Sequence, residues 1–315
     1  MKPGARKIAG VLVWVIMGLT VLASGSLAQD GNTGEGLILS VARAQQLAEQ
    51  TLEETVAPLG TLLSQIGPSS VFAAGDQGFG TWSVAIGGAA TKFSVSSPDY
   101  TLEDPAGEDK IEGGAGAVYL DASLGLFRGY QPSQSVTTSG SVDLLLRLGY
   151  SLGDQENLAE KVDLSSYAPI YGGGLRFGLL KGPGLPSISL TTGANFFKRR
   201  VFSTTIENED AQVELDFDQT STFLLLEIGQ SFGWITPYLV GGVTHHRMQA
   251  DYVADVLYGS DEQSTATIYD SVDIKQTLNM FYGGLEFGSG ILRLDLEGGV
   301  SDGDPFARFF LRFSG

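Results

Sequence analysis

The chain has 315 residues, and its 36 Asp and Glu residues outnumber its 19 Lys and Arg residues, which gives a formal net charge of −17. So acidic a composition argues against nucleic-acid binding, which needs a basic surface. The absence of Cys excludes disulfides, thiolate metal sites, cysteine nucleophiles and a lipid-modified cysteine. The 43 Gly residues follow no collagen period, and in an apolar, β-branched sequence they suit tightly curved sheets.

The N-terminus has the three parts of a secretion signal. A basic start is followed by an apolar run at 8–22, and small residues then lead to Ala28. The basic residues are Lys2, Arg6 and Lys7. Ser26 at −3 and Ala28 at −1 suit signal-peptidase cleavage, so we expect residues 1–28 to be removed and the mature chain to begin at Gln29. The alternative is a retained anchor, but the apolar run is at the short end for spanning a bilayer.

Residues 29–80 form a separate segment with helical character. Between Glu35 and Ile66, apolar residues recur at spacings of three, four and seven, with polar residues between them. The apolar positions are Leu37, Val41, Ala44, Ala48, Leu52, Leu59 and Leu63. Pro58 should kink or end the first helix, and Gly67-Pro68 should stop the second. The apolar stripe of this segment must be buried against another part of the protein or against a partner.

From Thr81 onward the hydrophobic pattern changes to a period of two, which indicates β-strands. The stretch 141–152 shows it most clearly, because one face is apolar throughout and the other is mostly polar. The apolar face carries Val142, Leu144, Leu146, Leu148, Tyr150 and Leu152, and the other carries Ser141, Asp143, Leu145, Arg147, Gly149 and Ser151. This pattern fits either a soluble sandwich or a transmembrane barrel with lipid outside and a polar interior.

The lengths of the connections separate these two architectures. The predicted strands lie near 81–95, 113–127, 136–152, 167–180, 185–205, 211–231, 234–256, 272–288, 290–301 and 305–313. Long connections, at 94–112, 153–166 and 257–271, alternate with short ones such as 181–184, 232–233 and 288–290. Long outer loops and short inner turns are typical of outer-membrane barrels. The sequence therefore predicts an all-β fold for residues 81–315, an antiparallel transmembrane β-barrel of about ten strands (eight to twelve), with the helical segment at its periplasmic rim or in its lumen.

Aromatic residues fall near both predicted ends of the strands, as in the interfacial girdles of membrane barrels. Those near the periplasmic ends are Trp82, Phe127, Tyr130, Phe232, Trp234 and Tyr238, and those near the outer ends are Phe93, Tyr100, Tyr150, Tyr167 and Tyr252. The alternative is that these rings are ordinary sheet-core aromatics.

The C-terminal strand alternates Ala307, Phe309, Leu311 and Phe313 with Arg308, Phe310 and Arg312. This resembles the C-terminal signal of bacterial outer-membrane β-barrel proteins, although Ser314 and Gly315 follow the last aromatic residue here. The resemblance is to the class and not to a subfamily. It implies export to the cell outer membrane, recognition by the outer-membrane assembly machinery, and contact with outer-membrane lipid and lipopolysaccharide.

Alternation also predicts which charges line the lumen. The twelve candidates are Asp121, Asp143, Arg147, Arg176, Glu227, Arg247, Glu286, Arg293, Asp295, Glu297, Arg308 and Arg312. Six acids and six Arg residues suggest either a selectivity lining or a network of bidentate ion pairs that fills a narrow lumen. Ten strands allow at most a narrow path, since wide aqueous channels need about sixteen.

The excess acidity falls in the predicted loops and the N-terminal segment. One explanation is that the charges keep solvent-exposed loops soluble. The other is that the loops bind divalent cations, or bridge through them to lipopolysaccharide. No calcium-loop spacing is visible, so no metal site and no cofactor are predicted.

His245 and His246 are the only histidines. Neighbouring strand residues point to opposite faces, so we expect His245 inside the barrel, near Arg247, and His246 outside. An omptin-like or lipid-acting hydrolase using His245 is therefore one hypothesis, but no acidic partner or nucleophile-elbow sequence supports it. A surface adhesin acting through the acidic loops is another. The sequence favours a non-enzymatic barrel with a structural or small-solute/lipid transport role and a narrow or plugged lumen.

Overall fold

The computed structural model describes Thr61 and residues 79–96, 110–133, 136, 139–153, 162–163, 168–182, 184–206, 211–258 and 264–315. The predicted signal 1–28 lies outside this range. So does the predicted segment 29–80, apart from Thr61, which is helical, and the turn residues Phe79 and Gly80. Among the described residues, no helix is long and apolar enough to span a membrane.

Eleven strands make up nearly all of the described chain. They are β1 (Trp82–Ser96), β2 (Lys110–Phe127), β3 (Ser141–Gly153), β4 (Val162–Asp163), β5 (Ala168–Gly182), β6 (Leu185–Ile206), β7 (Ala211–Gly229), β8 (Ile235–Tyr258), β9 (Ser264–Ser289), β10 (Leu292–Ser301) and β11 (Asp304–Ser314).

Ten of these strands close into a ring. Each pairs antiparallel with its neighbours in chain order, and β1 closes the ring by pairing with β11 from Ser83↔Ser314 to Thr91↔Phe306. The short β4 is not part of the ring and pairs only with the far end of β6. The fold is thus a closed ten-stranded antiparallel barrel. This confirms the predicted fold class and excludes the sandwich. We call the end where β1 begins and β11 ends the lower end, and the opposite end the upper end.

Two predicted connections differ from the structure. The predicted loop 257–271 is largely strand, because β9 begins at Ser264 and Tyr258 pairs with Ser264 across a short connection. The β2–β3 connection, expected to be short, runs over residues 128–140 and is bridged between Tyr130 and Ser139. β3 accordingly starts at Ser141 and not at 136. The polar, β-branched residues of 264–271 lack the one-sided apolar alternation that predicts a strand, although such residues also suit a strand with both faces in water.

The barrel wall has unequal height. At the upper end, β10 and β11 stop at the turn Asp302-Gly303, where both residues have positive φ, as a tight two-residue hairpin turn requires. Ser301 pairs with Met280 at that level. β9 continues above it through residues 264–279, which is about 50 Å of extended chain at 3.3 Å per residue. Strands β6 to β9 therefore form a tall sheet above one side of the barrel.

The outward face carries a continuous zone of exposed apolar side chains, which we call the apolar belt. Its members include Ile86, Val118, Leu120, Leu124, Leu146, Leu148, Leu224, Leu226, Ile228, Leu239, Val243, Leu285, Leu292, Leu294, Leu296 and Phe309. Exposed aromatic residues border it at the lower end, namely Trp82, Phe127, Tyr130, Phe232 and Trp234. Tyr238, predicted to join them, is buried inside the barrel, because even-numbered residues of β8 point inward. Above the belt, outward positions become polar at Thr222 and His245, which are paired across β7 and β8.

Inside the barrel, large side chains lie over glycines of the neighbouring strand. Six such pairs lie directly opposite each other on neighbouring strands. They are Tyr119 and Gly149, Tyr238 and Gly284, Tyr282 and Gly299, Phe310 and Gly87, Phe223 and Gly193, and Leu225 and Gly242. A Cβ at each of these glycines would overlap the opposing side chain or its backbone. The missing side chain thus gives the ring room to lie flat on the barrel wall, which accounts for part of the high glycine content.

Two adjacent glycines of β10 test this arrangement. Gly299 points inward, where a Cβ would overlap Tyr282, whereas Gly298 points outward, with only the Phe306 carbonyl oxygen within 4 Å. We expect Gly299→Ala to destabilise the barrel by about 1–3 kcal/mol through overpacking, and Gly298→Ala to be close to neutral. Urea unfolding of the refolded barrels in detergent measures both. Equal effects of the two substitutions would contradict the proposed packing.

Candidate functional site: the barrel interior

The first element of the interior is a bidentate ion pair between β2 and β3. Asp121 and Arg147 are directly opposite each other, and Arg147 donates from Nε and Nη2 to the two carboxylate oxygens at 2.8 and 2.7 Å. Both side chains are buried, and the guanidinium lies 3.8 Å from the centre of the Tyr119 ring. The carboxylate of Asp121 on one side and the face of the Tyr119 ring on the other stabilise the positive charge of Arg147 without water.

A second ion-pair group lies near the lower end, on β9, β10 and β11. Glu286 accepts hydrogen bonds from Arg293 on one side and Arg312 on the other. Asp295 lies directly opposite Glu286 and is fully buried, and its Oδ2 is 4.0 Å from Arg312 Nε. Two carboxylates therefore share two guanidinium groups in one buried layer.

A third group lies above it. Arg308 forms an ion pair with Glu297, with 3.0 Å between Nε and Oε2, and Tyr238 donates its hydroxyl to Glu297 at 2.9 Å. The Arg308 guanidinium also lies 4.5 Å from the centre of the Tyr282 ring and 4.8 Å from that of Phe306. This arginine joins the charged layer to the aromatic layer above it.

On the opposite side of the barrel, Glu227 accepts hydrogen bonds from Thr191 at 2.8 Å and Ser189 at 3.3 Å. Asp143 lies directly across from Arg176, and both are buried. Each of these charged residues points inward because it lies an even number of positions from other buried side chains of its strand.

The structure buries ten of the twelve predicted lumen charges at 5% exposure or less, and Arg293 is slightly more open, with 15% of its side chain exposed. Arg247 is the exception, since 47% of its side chain is exposed on the outer face. The expectation that Arg247 lines the lumen is therefore wrong. Among the candidates that the structure describes, six carboxylates and five guanidinium groups point into the barrel.

The same error affects the histidines. His246 is the buried one, and His245 is exposed, which reverses the predicted faces. The reason lies in the upper part of β8, where the polarity of the two faces is inverted. Outward residues of β8 are apolar up to Val243 and polar from His245, whereas the inward residues Met248 and Ala250 are apolar and buried. A rule that places polar residues inside fails once the strand has left the apolar belt.

Outside the barrel, above the belt, Arg247 belongs to an exposed ion cluster. It donates to both oxygens of Asp273 at 3.0 and 3.1 Å, and Lys275 Nζ lies 3.2 Å from Asp273 Oδ2. The hydrogen bonds from Arg247 hold the pKa of Asp273 below its usual value. Neighbouring His245 pairs through Nδ1 with the Thr277 hydroxyl at 3.0 Å. These groups are partnered with one another on an open surface.

A buried apolar layer lies beside and between the charged groups, since Leu145 is on β3 between Asp143 and Arg147, and Val240 is directly opposite Glu227. Its buried members are Leu145, Phe223, Leu225, Tyr238, Val240, Met280, Tyr282 and Phe306. Tyr282 and Phe306 meet edge to face, with ring centres 5.6 Å apart, an orientation that aromatic pairs prefer. These side chains come from β3, β7, β8, β9 and β11, so the layer reaches across the interior from several sides.

Above the apolar layer is a row of uncharged polar side chains that sequence reasoning missed. Asn195, Ser221, His246 and Gln276 follow one another at the same level across β6, β7, β8 and β9. His246 Nε2 is 2.8 Å from the Thr244 hydroxyl. In contrast, Ser221 Oγ, His246 Nδ1 and Gln276 Oε1 are buried without a hydrogen-bond partner. Only the register shows this row, because its members are far apart in the sequence.

No group of three or more His, Asp or Glu side chains within the described residues is arranged to hold a metal ion. Most residues of the predicted acidic loops lie outside the described ranges. Asp255, Asp270 and Asp273 do lie within them and belong to strands β8 and β9 rather than to a loop.

No protein-family model matches the chain, and no curated protein matches it. Solved structures with a similar architecture include the translocator domain of the autotransporter NalP from Neisseria meningitidis. It is 7% identical, over 90% of this chain and 96% of that one, with a TM-score of 0.39. The outer membrane protease OmpT from Escherichia coli is 9% identical, over 75% and 97%, with a TM-score of 0.36. The transport unit of the Escherichia coli autotransporter AIDA-I is 8% identical, over 86% and 97%, also with a TM-score of 0.36.

These structures are outer-membrane β-barrels, the class that the sequence pattern predicts. The closed antiparallel ring of this chain has that general fold. At such low identities the likeness concerns the fold alone and carries no activity over to this chain.

The buried pair Asp121–Arg147 and the exposed pair Asp273–Arg247 allow a matched test. Removing one partner of a buried pair leaves an uncompensated charge, which typically costs about 3–5 kcal/mol, whereas an exposed pair contributes about 0–1 kcal/mol. We therefore expect Arg147→Met to lower the free energy of unfolding strongly and Arg247→Met to change it little. The double variant Asp121→Leu/Arg147→Met should recover most of the loss. Chemical denaturation in detergent measures all three, and a mild effect of Arg147→Met would argue against a dry interior.

The unpartnered hydroxyl of Ser221 gives a second test. A buried polar group without a partner costs about 1–3 kcal/mol, so Ser221→Ala should raise the free energy of unfolding. Thr244→Val is the control, because it removes the hydrogen bond to His246 and should lower stability by about 1 kcal/mol. Both changes can be read from the midpoint of urea unfolding. A destabilising Ser221→Ala would mean that a bound molecule satisfies this hydroxyl.

Proposed function

We propose that this protein is an outer-membrane β-barrel with a structural role. In this proposal the barrel anchors the tall β6–β9 sheet at the membrane, and its lumen is closed by its own side chains. The observation that carries the proposal is the filled interior of the ring, in which buried charged groups and a packed apolar layer lie side by side.

Two surface features support the membrane location. The apolar belt gives the ring an outward face that would be unfavourable in water and is suited to lipid, and exposed aromatic residues border it at the lower end. The polar outward residues that begin at Thr222 and His245 mark its upper limit. In the same proposal, outer-membrane lipid, lipopolysaccharide and the assembly machinery are the partners, the last through the strand that ends at Phe313. Divalent cations at the acidic loops stay a prediction from the sequence.

The filled interior favours a structural role over solute passage. A solute would have to separate the Arg308–Glu297 pair and displace the ring of Tyr282 from Phe306. Separating a buried ion pair leaves each charge in the low-dielectric interior without its partner, which costs several kcal/mol. The number of strands agrees, because small barrels are filled by side chains.

The other functions considered have less support. The hydrolase hypothesis relied on His245, which was expected to face the lumen near Arg247, and the structure has His245 on the outer surface, bonded to Thr277. The adhesin hypothesis depends on acidic loops that lie mostly outside the described residues. Neither is part of the proposal.

Planar-bilayer recording of the refolded protein tests the proposal directly. We expect no steady conductance from the unmodified barrel. We expect a measurable conductance when Tyr282, Phe306 and Met280 are all changed to Ala, because three of the eight side chains of the apolar layer, including both rings of its edge-to-face pair, would then be truncated. The triple change Leu146→Ala/Leu148→Ala/Leu294→Ala on the outward face is the control. A steady conductance in the unmodified barrel would instead favour a channel.

A further inference from the structure

The apolar belt is interrupted by a groove near its lower end. The groove has a volume of about 620 Å³ and lies on the outward side of β7, β8, β9 and β10. Its walls are formed by Ile228, Pro237, Leu239, Leu285 and Leu296, and Gly283 lies between them.

Glycine at position 283 is what opens this groove. Gly283 points outward, directly opposite Leu239 on one side and Gly298 on the other. Two adjacent strands thus contribute no side chain at this level, whereas the next outward positions on both strands carry large apolar residues, namely Phe281, Leu285, Leu296 and Val300. Pro237, which faces the same space, has a fixed backbone dihedral and cannot rotate to fill it.

The position of the groove indicates which part of a membrane it meets. Leu285 lies two residues above Phe287, whose ring is 6.1 Å from that of Trp234 in the lower aromatic border. The groove therefore begins directly inside the level where lipid headgroups meet hydrocarbon, and it extends into the lower half of the belt. The border residues Trp82 and Trp234 are among those predicted at the periplasmic ends of the strands, so this is the periplasmic leaflet, which consists of phospholipid.

The chemistry of the lining indicates the ligand. Apart from Gln230 at the border and Tyr238, whose hydroxyl is bonded to Glu297 inside the barrel, the eleven lining residues are apolar or glycine. Such a surface has nothing to bind a charged headgroup. An empty groove would also forfeit the dispersion contacts that the rest of the belt makes. A flexible hydrocarbon chain fills a narrow groove, whereas a stable protein interface uses about 20–30 residues per partner.

We infer that this groove binds one acyl chain of a phospholipid from the periplasmic leaflet. The inference rests on the proposed membrane location and adds a defined lipid site to it. The bound chain lies against Gly283 between Leu239 and Leu285, and the headgroup remains at the level of Trp234 and Gln230.

The test compares two outward glycines of the belt. Gly283→Leu fills the groove, and its Cβ would meet only the end of the Leu239 side chain, at 3.1 Å, and the Tyr238 carbonyl oxygen, at 3.4 Å. Gly173→Leu is the matched control on β5, where a Cβ has only the Leu145 carbonyl oxygen nearby, at 3.8 Å. Leu285→Trp fills the same groove from its wall and replaces Gly283→Leu if that variant does not refold.

The full chain is reconstituted with dioleoylphosphatidylethanolamine, exchanged into detergent, and examined by native mass spectrometry. We expect the unmodified barrel and Gly173→Leu to retain one phospholipid, and Gly283→Leu and Leu285→Trp to retain at least fivefold less. Equal retention in all four proteins overturns the inference, as does no retention by the unmodified barrel. A dimer that is lost only in the groove variants overturns it in favour of a second copy.

Membrane fractionation separates this result from the broader proposal. If the unmodified protein is recovered with the outer membrane but retains no lipid, the lipid site is wrong and the membrane location stands. If the protein is not recovered with the outer membrane, the proposed function itself fails.

Discussion

Closing ten strands into a ring leaves an interior that side chains have to fill, and the rest of this structure depends on how they do so. Half of all strand residues point into that space, so each inward position must fit its neighbours in both size and charge. Glycines opposite Tyr119, Tyr238, Tyr282 and Phe310 provide the room. The large rings can then lie flat against the barrel wall. The high glycine content and the packing of the aromatic rings therefore depend on each other.

The same constraint explains why the interior charges are arranged in pairs. A lone guanidinium or carboxylate would be costly in so dry a space, whereas a bidentate pair such as Asp121–Arg147 leaves few bonding positions empty. The aromatic faces of Tyr119 and Tyr282 give two of the arginines a further partner. These layers hold the register of neighbouring strands, because a shift by one residue would turn a charged side chain outward.

Much of the barrel could be predicted from the sequence, because strict alternation, as in 141–152, reports directly which face is apolar. The prediction failed where that rule changes. Above the apolar belt the outward face of β8 is polar, so alternation wrongly predicts that His245 and Arg247 point inward, and the polar start of β9 wrongly predicts a loop. Tyr238 lies at the level of the border aromatic residues along its strand, but it is on the inward face. The row from Asn195 to Gln276 depends on the register of four strands, which no local pattern encodes.

The inversion of polarity along β8 has a mechanical consequence. In the proposed membrane, lowering the barrel by one pair of residues would bring His245 and Arg247 into hydrocarbon, where a basic residue costs about 2–4 kcal/mol at the midplane and less toward the interface. Raising it would expose Val243 and Leu224 to water. Both displacements raise the free energy of the protein in the membrane. The arrangement of apolar and polar residues on the outward face therefore sets the depth at which the barrel lies in the bilayer. The tall sheet is thereby held at a constant height above the lipid surface.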